Sequence, residues 1–484
     1  MPTTELLEAL PDKTVLGAVP PVLRGLAYDS RKVAPGELFV AIPGLKQDGR
    51  RFIGDALGRG AAAVVFDGPD VLAGSETGRV LVPSARQALA RLADAYFGHP
   101  SRALTVIGIT GTNGKTTTSI LVDALLRTRG GPTGLIGTIE YRIGEERLTA
   151  SQTTPEALEL QSLLARMVEA GVAGVAMEVS SHALDQHRVG GVVFDVAAFT
   201  NLSQDHLDYH PSMDDYFGAK AGLFTPAYAR AAVVNADDPW GRRLLEAPAI
   251  PTRSFAVDAE ADLRAEDVAV DVGGIAFRVG ETSVRSLLRG RFNVANCLCA
   301  IGIAETLGID LETAARGVAA VPRVPGRVEP VDAGQNFLVV VDYAHTPDSI
   351  LSVLQAARPL TAGRLIVVFG CGGDRDRAKR PLMGAAATAN ADLTVITSDN
   401  PRSEDPLAII AAIEAGAREG GGAFVVEADR TAAIAFAVGE AAGGDTVVIA
   451  GKGHEPYQEF ADRTVPFDDR EVAHAAILAA GKGA

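Results

Sequence analysis

Tryptophan occurs once in the 484 residues, at position 240, and cysteine three times. Cys297, Cys299 and Cys371 are too few for a disulfide framework and lack the paired spacing of a zinc or thioredoxin motif. They read as small buried hydrophobes of a reducing compartment. Aromatic residues amount to only 5%, which argues against a Trp- and Tyr-rich binding module. No apolar run reaches the roughly eighteen residues of a transmembrane helix. The opening MPTTELLEALPDKTV has acidic residues and no apolar core, so it is not a signal peptide, and a cytoplasmic setting is expected. Basic residues are in deficit: 45 Lys and Arg stand against 60 Asp and Glu, for a net charge of −15. Binding to nucleic acid through phosphate neutralisation is thereby disfavoured. An anionic substrate must be met by local groups of Lys and Arg.

What is present is an apolar fraction of 47%, enough for large cores. At about 150 residues per domain, the length predicts roughly three domains. Short β-rich runs alternate with Ala-rich helical stretches, the pattern of parallel sheets covered by helices. Strands are expected at 24–28, 37–42, 61–66 and 79–82, then a helix that His99-Pro100 breaks. This places a first boundary at 101. The central strands 104–110, 134–140, 172–179, 192–200 and 231–235 end in GTNGKTT, GTIE, EVSSH, TNLSQDH and NADDP. Ligands of open α/β sheets sit beyond the carboxyl ends of the strands, so these motifs predict one composite site. VPRVPGRVEPVDAG reads as a linker, with a second boundary at 330. Strands at 337–342, 364–369, 392–397, 423–427 and 445–450 follow, ending in DYAHTP, GCGGDRDRAKR, TSDNPR, EADR and GKGHE. The fold class is α/β, with domains at 1–101, 102–330 and 331–484.

The strongest chemical signal is residues 104–129, a strand, a Gly-rich turn and an amphipathic helix. Gly111, Thr112, Asn113, Gly114, Lys115, Thr116 and Thr117 form a phosphate cradle. Lys115 can reach the β- and γ-phosphates, and Thr116 can ligate Mg²⁺. The strict P-loop pattern is not met, because position 109 is Ile rather than Gly. His182, His187, His206 and His210 lie among Glu178, Asp185, Asp205 and Asp208, a mixture that suits Mg²⁺ or Mn²⁺ beside phosphates better than zinc. His99, His187 and His210 read as hydrogen bonders rather than ligands. Ser180-Ser181-His182 suggests a hydrolase, but the G-x-S-x-G elbow is absent. Lys220, read alone, is a solvated lysine on a helix.

Taken together, GTNGKTT, MEVSSHALDQHRV, TNLSQDHLDYH, FNVANCLCA, DYAHTPDSI, GCGGDRDRAKRP, TSDNPR and GKGHEPYQ resemble the Mur ligases over nearly the whole chain. These are ATP-dependent amide-forming enzymes of peptidoglycan precursor synthesis. The narrower resemblance is to members that add the third residue of the stem peptide. It implies a UDP-binding N-terminal domain, a central P-loop ATPase domain and a Rossmann-like C-terminal domain. It also implies that Tyr28, Ser30, Leu45, Lys46, Gln47, Gln152, Thr153, Thr154, Ser180, Gln186 and Arg188 contact the UDP-linked substrate. The loop of 45–47 reads GLKQDG here, where better-known members read HQADG. Lys220 matches the lysine carbamylated by CO₂, with His206 and the carbamate holding one Mg²⁺ and Thr116 and Glu178 another. Asn293, Arg327 and Asp342 match positions around the nucleotide.

The implied reaction is attack of a D-Glu γ-carboxylate on ATP, followed by an amine's attack on the acyl phosphate. Lys115, Glu178, His206 and Lys220 would carry it, mostly by positioning and charge. Asp399, Asn400, Pro401 and Arg402 match the DNPR motif of members that add meso-diaminopimelate, and Arg375, Gly451 and Glu455 match their other contacts. The implied partners are UDP-MurNAc-L-Ala-D-Glu, ATP and meso-diaminopimelate, met by a monomer with neither nucleic acid nor membrane insertion. An L-lysine-adding enzyme, a folylpolyglutamate synthetase-like ligase and a P-loop protein that hydrolyses ATP without ligation are the alternatives.

Overall fold

The computed structural model describes residues 1–44, 47–271 and 273–483. Its three large sheets are α/β, and the strands expected at each motif are present. The first sheet orders Thr14–Leu16, Arg79–Val82, Ala63–Asp67, Glu37–Val40 and Gly25–Ala27, antiparallel only at its first pair. The central sheet runs Leu263–Arg264, Thr252–Ala256, Ala229–Asn235, Phe194–Phe199, Thr105–Thr110, Gly174–Glu178 and Thr133–Ile136 in parallel. A hairpin of Glu140–Ile143 and Glu146–Thr149 extends it antiparallel. The third sheet orders Glu329–Pro330, Leu338–Asp342, Thr446–Ala450, Leu365–Phe369, Leu393–Ile396 and Phe424–Val426.

Five of the central strands, each ending in a polar motif, are consecutive neighbours in that order. Their parallel register brings all five carboxyl ends to one edge. Apolar cores fill both faces of the central sheet. On one face lies the helix Phe292–Thr306, buried along most of its length and packed against Lys115–Arg127. Cys297 and Cys299 are fully enclosed there, and Cys371 is buried in the third domain's core. Burial pushes the thiols of Cys297 and Cys371 up to about 12, so the cysteines act as apolar filler.

The segment read as a linker is folded. Glu329–Pro330 becomes an edge strand on Leu338–Asp342, and Gly326 N–H donates to Glu329 Oε2 at 2.8 Å. Its Pro and Gly residues serve a tight turn that presents Arg327. On the other side of the central sheet, Trp240 lies 5.1 Å from the ring of Phe217, and the Arg243 guanidinium covers it at 4.7 Å. Phe217 belongs to the helix Met213–Ala221, which also carries Lys220.

Candidate active site

The phosphate loop joins Thr105–Thr110 to Lys115–Arg127. Gly111 and Gly114 have φ of +147° and +84°. A Cβ would lie 1.9 Å from Thr200 Oγ1 at the first and 2.4 Å from Asn296 Oδ1 at the second. Both positions need glycine for conformation and for space. The neighbouring strand end holds the loop: Asn113 N–H donates to Asn201 Oδ1 at 2.9 Å, and Thr200 Oγ1 to Asn113 O at 2.6 Å.

Two amines converge on this loop. Lys115 Nζ donates to Gly111 O at 3.0 Å and Thr112 O at 2.9 Å, and Lys220 Nζ donates to Gly111 O at 2.9 Å. Lys220 is 1% exposed, so the solvated reading of this lysine is corrected: its helix turns it inward beneath the loop. Burial lowers the basicity of both amines, and the charge of Lys115 lowers that of Lys220 further.

Glu178 ends its strand nearly inaccessible. Its carboxylate accepts from Thr116 Oγ1 at 3.0 Å and from Thr138 N and Oγ1 at 2.8 and 3.0 Å. Arg327 Nη2 donates to Thr116 Oγ1 at 3.1 Å, and its guanidinium lies 4.5 Å over the Tyr343 ring. His206 sits beside Asp205, which in turn lies 3.8 Å from both His345, in a loop of the third sheet, and Lys379, the first residue of the helix Lys379–Asn390. A cavity of about 670 Å³ opens between these rims. It is lined by residues 112–117, Glu178, His206, Arg327 and Asp342, and farther in by Phe255, Val257 and Phe292. Asp342 accepts from Val328 N and Ala344 N, and burial raises its carboxyl. Asn293 lies behind the cavity wall and accepts from Asn296 Nδ2 at 2.8 Å; Asn296 is the residue that lines the cavity.

At the opposite rim, Tyr28 OH donates to Glu159 Oε1 at 2.8 Å, tying the first sheet's edge to the helix Ala157–Glu169. Ser30 opens a short 3₁₀ turn capped by Asp29. Gln47 O accepts from Gly44 N, while Leu45 and Lys46 lie outside the described residues. Arg188 gathers Gln152, Thr154 O at 3.1 Å, Gln186 Oε1 at 2.8 Å and Glu156 Oε1 at 3.0 Å. Thr153 meets Thr138 at 3.0 Å, and Ser180 caps the helix Ser181–Asp185.

The third sheet's edge carries a separate polar cluster. Asn400 Nδ2 donates to Glu455 Oε2 at 2.8 Å, and a Cβ on Gly451 would lie 2.9 Å from Asp399 Oδ2. Pro401 precedes Arg402, whose φ is +52°. Arg402 donates from Nε to Glu459 Oε2 at 3.0 Å and from Nη1 to Gly373 O at 2.9 Å. Arg375 is exposed, but both guanidinium side chains flank Gly372. Sequence reasoning did not assign Thr138, Asn296 or Lys452. Each lies within a motif quoted for its neighbours, so the position was visible and the role was not.

Four histidines here are held neutral. Burial pushes His454 down to about 3 and His182 and His345 to about 4, and it holds His206 well below the usual imidazole range despite the neighbouring Asp205. Their ordinary value is about 6.5. Between pH 6.5 and 4 the unfolded chain therefore binds protons that the native chain refuses, and stability falls as pH falls. Thermal melts are expected to give a lower Tm at pH 5 than at pH 7.5, with a shallower slope in His345→Asn. A Tm that holds or rises on acidification contradicts this.

Fold and site together define a three-part α/β nucleotide-binding protein whose phosphate loop faces a second sheet across a ligand-sized cleft. The chain belongs to the Mur ligase family. The Mur ligase middle domain matches residues 109–304, the Mur ligase, glutamate ligase domain 326–453, and the Mur ligase family, catalytic domain 22–97. The chain is 51% identical over 466 residues to the UDP-N-acetylmuramoyl-L-alanyl-D-glutamate–2,6-diaminopimelate ligase of Streptomyces avermitilis, covering 94% of this chain and 92% of that one. To the ligase of the same name from Geobacillus kaustophilus it is 46% identical, covering 98% and 99%. A solved structure bearing that name superposes with a TM-score of 0.69 at 34% identity, covering 98% of this chain and 99% of that one. A folylpolyglutamate synthase from Mycobacterium tuberculosis complexed with ADP shares the fold, with a TM-score of 0.62 at 22% identity, covering 82% and 94%. Among the described residues, no helix is long and apolar enough to cross a membrane.

Proposed function

We propose that this chain is an ATP-dependent amide ligase that joins meso-diaminopimelate to the D-glutamate of UDP-MurNAc-L-Ala-D-Glu, a step in peptidoglycan precursor synthesis. The observation that carries this reading is the convergence of Lys115, Lys220 and Glu178 on one phosphate loop, in a chain half identical to ligases of that name. The proposed division is 1–101 for the UDP-linked substrate, 102–330 for ATP and 331–484 for the incoming amino acid.

A carboxylate does not acylate an amine in water, so its oxygen must first be masked as an acyl phosphate. The γ-carboxylate attacks the γ-phosphorus of ATP and ADP departs. The amine then attacks the acyl carbon, and phosphate leaves the tetrahedral intermediate. Lys115 and the backbone N–H groups of 114–117 hold the triphosphate and offset its repulsion of the carboxylate, while the N–H groups of Thr112 and Asn113 are engaged by Asn201. Arg327 and Asp342 order the nucleotide side of the cleft, with Asn293 bracing Asn296. Tyr28, Ser30, Gln152, Thr153, Thr154, Ser180, Gln186 and Arg188 position the nucleotide-sugar peptide, together with the loop of 45–47.

The hard oxygen donors Thr116 and Glu178 suit Mg²⁺, with His206 and a modified Lys220 serving a second ion. When bound, the ions supply positive charge between triphosphate and carboxylate. Lys220 would become a carbamate by attack of its neutral amine on CO₂, forming N–COO⁻ and releasing a proton. Its lowered basicity favours the neutral amine that this step needs.

For the amino acid, Asn400, Glu455, Gly451 and Asp399 offer polar contacts, and Arg375 and Arg402 offer guanidinium groups for a distal carboxylate. Meso-diaminopimelate has that carboxylate and L-lysine lacks it. A site built for the group rejects the analogue without it by several kcal/mol. With UDP-MurNAc-L-Ala-D-Glu, ATP and Mg²⁺, phosphate release and a new peptide bond are expected only when diaminopimelate is added. Arg402→Ala should raise KM for diaminopimelate about a hundredfold and narrow its preference over lysine. ADP formation without a peptide bond overturns the ligase reading. Equal turnover of the two amino acids overturns the specificity.

A further inference from the structure

Lys452 has no role in the site as described so far, yet it is fully buried in the loop between Gly451 and Glu455. Its ammonium donates to Asn400 Oδ1 at 2.8 Å and lies 3.5 Å from Asp399 and 3.6 Å from Glu455. Buried lysines are rare, and they persist where their charge is paired and their protons are used. Here one cation sits among two carboxylates and an amide, all three at positions assigned to the amino acid.

The geometry fixes what this cation does to its neighbours. Lysine is a donor without acceptor capacity, so the Asn400 atom facing it must be the oxygen. The backbone N–H of Glu459 donates to that same oxygen at 3.0 Å. Asn400 is thereby held with its amide nitrogen turned toward Glu455, where Nδ2 donates at 2.8 Å. Tyr343 OH approaches the other oxygen of Glu455 at 3.4 Å. The amide thus presents N–H rather than C=O on the Glu455 side, and one ammonium lies within 3.6 Å of both carboxylates.

We infer that Lys452 is the positioning residue of the amino-acid site: it sets the orientation of Asn400 and keeps Asp399 and Glu455 in place to receive an ammonium-bearing substrate. Lys452 itself is enclosed, so it acts through these neighbours rather than by touching the ligand. The inference rests on the amino-acid site proposed above and adds the residue that organises it. It also makes the ligand's chemistry more specific: an ammonium group for the carboxylates, adjacent to an acceptor for the Asn400 N–H.

The test compares Lys452→Met, which removes every donor, with Lys452→Gln, which keeps an N–H for Asn400. Both are measured on the full chain with all three substrates, alongside thermal melts. In Lys452→Met, KM for diaminopimelate is expected to rise roughly tenfold or more, while KM for ATP and for the nucleotide-sugar peptide stays within about twofold. Lys452→Gln is expected to recover part of that loss. Burial and Asp399 already raise the Glu455 carboxyl; Lys452 opposes them first, then the Asn400 hydrogen bond and the Arg402 guanidinium. KM for diaminopimelate in Lys452→Met should therefore worsen further as pH is lowered from 8 to 6, more steeply than in the unsubstituted protein. An unchanged KM in a folded Lys452→Met overturns the inference. So does a parallel rise in all three KM values with a lowered Tm, or failure of both variants to fold, since each assigns Lys452 to stability alone. If the unsubstituted protein forms no peptide bond with diaminopimelate, the proposed function fails instead, and that result precedes any comparison of variants.

Discussion

Lys220→Ala is expected to lower ligation by roughly a thousandfold, with formate or acetate restoring at least about tenfold of that loss. The expectation follows from where the side chain ends. Lys220 and Lys115 share the Gly111 carbonyl, so truncating Lys220 removes whatever anion it would carry directly under the phosphate loop. It also leaves a void that a small carboxylic acid can enter, and such an acid has the charge and shape of the missing carbamate. Initial rates with and without added acid decide the matter, with thermal melts to establish that the variant is folded. Full activity without the acid means the carbamate is not required. A folded, inactive variant that no acid rescues means that the amine rather than its carbamate is what matters.

Asp469→Ala should destabilise the protein by about 3–5 kcal/mol, the range for breaking a buried ion pair from one side. Arg430 and Asp469 are both wholly enclosed, joined at 2.7 and 2.8 Å. Arg430 also donates to Ala450 O at 2.9 Å and Ser398 O at 3.3 Å. Those carbonyls immediately precede Gly451 and Asp399, so one guanidinium fixes the ends of two strands that carry the cluster proposed to bind the amino acid. Denaturant unfolding reads the loss of stability. KM for diaminopimelate should rise in the same variant at temperatures where it remains folded. A change under about 1 kcal/mol would mean that the strand ends are held by other means.

The arrangement around the phosphate loop was legible because each strand carried both its apolar run and its polar terminus in one short stretch. Thr105–Thr110 followed by GTNGKTT is an example, and the adjacency of five such strands gathers their motifs automatically. The hairpin Glu140–Ile143 and Glu146–Thr149 was not legible. EYRIGEERLT is short and charged, and it becomes strand only by extending an existing sheet edge. The antiparallel sheet of Glu266–Asp271, Gly274–Val279 and Thr282–Ser286 was missed for a related reason: its first strand is largely exposed, so its alternation is weak. Lys220 shows a different limit. Nothing in DDYFGAKAGLF separates a lysine turned outward from one turned under a loop 109 residues away. Arg430 and Asp469 are 39 residues apart, and local pattern does not encode such a pairing. The resemblance to Mur ligases supplied the role proposed for Lys220; the residues alone pointed to a solvated side chain.

Trp240 has a use that its scarcity makes possible. It is the chain's one indole, and it packs on Phe217, three positions before Lys220 on the same helix. Intrinsic fluorescence excited at its red edge therefore originates from a single place, next to the segment that bears the buried Lys220. Nucleotide binding, or the carbon dioxide uptake proposed for Lys220, can be followed in the native protein by emission alone wherever it shifts this helix, without attaching a dye.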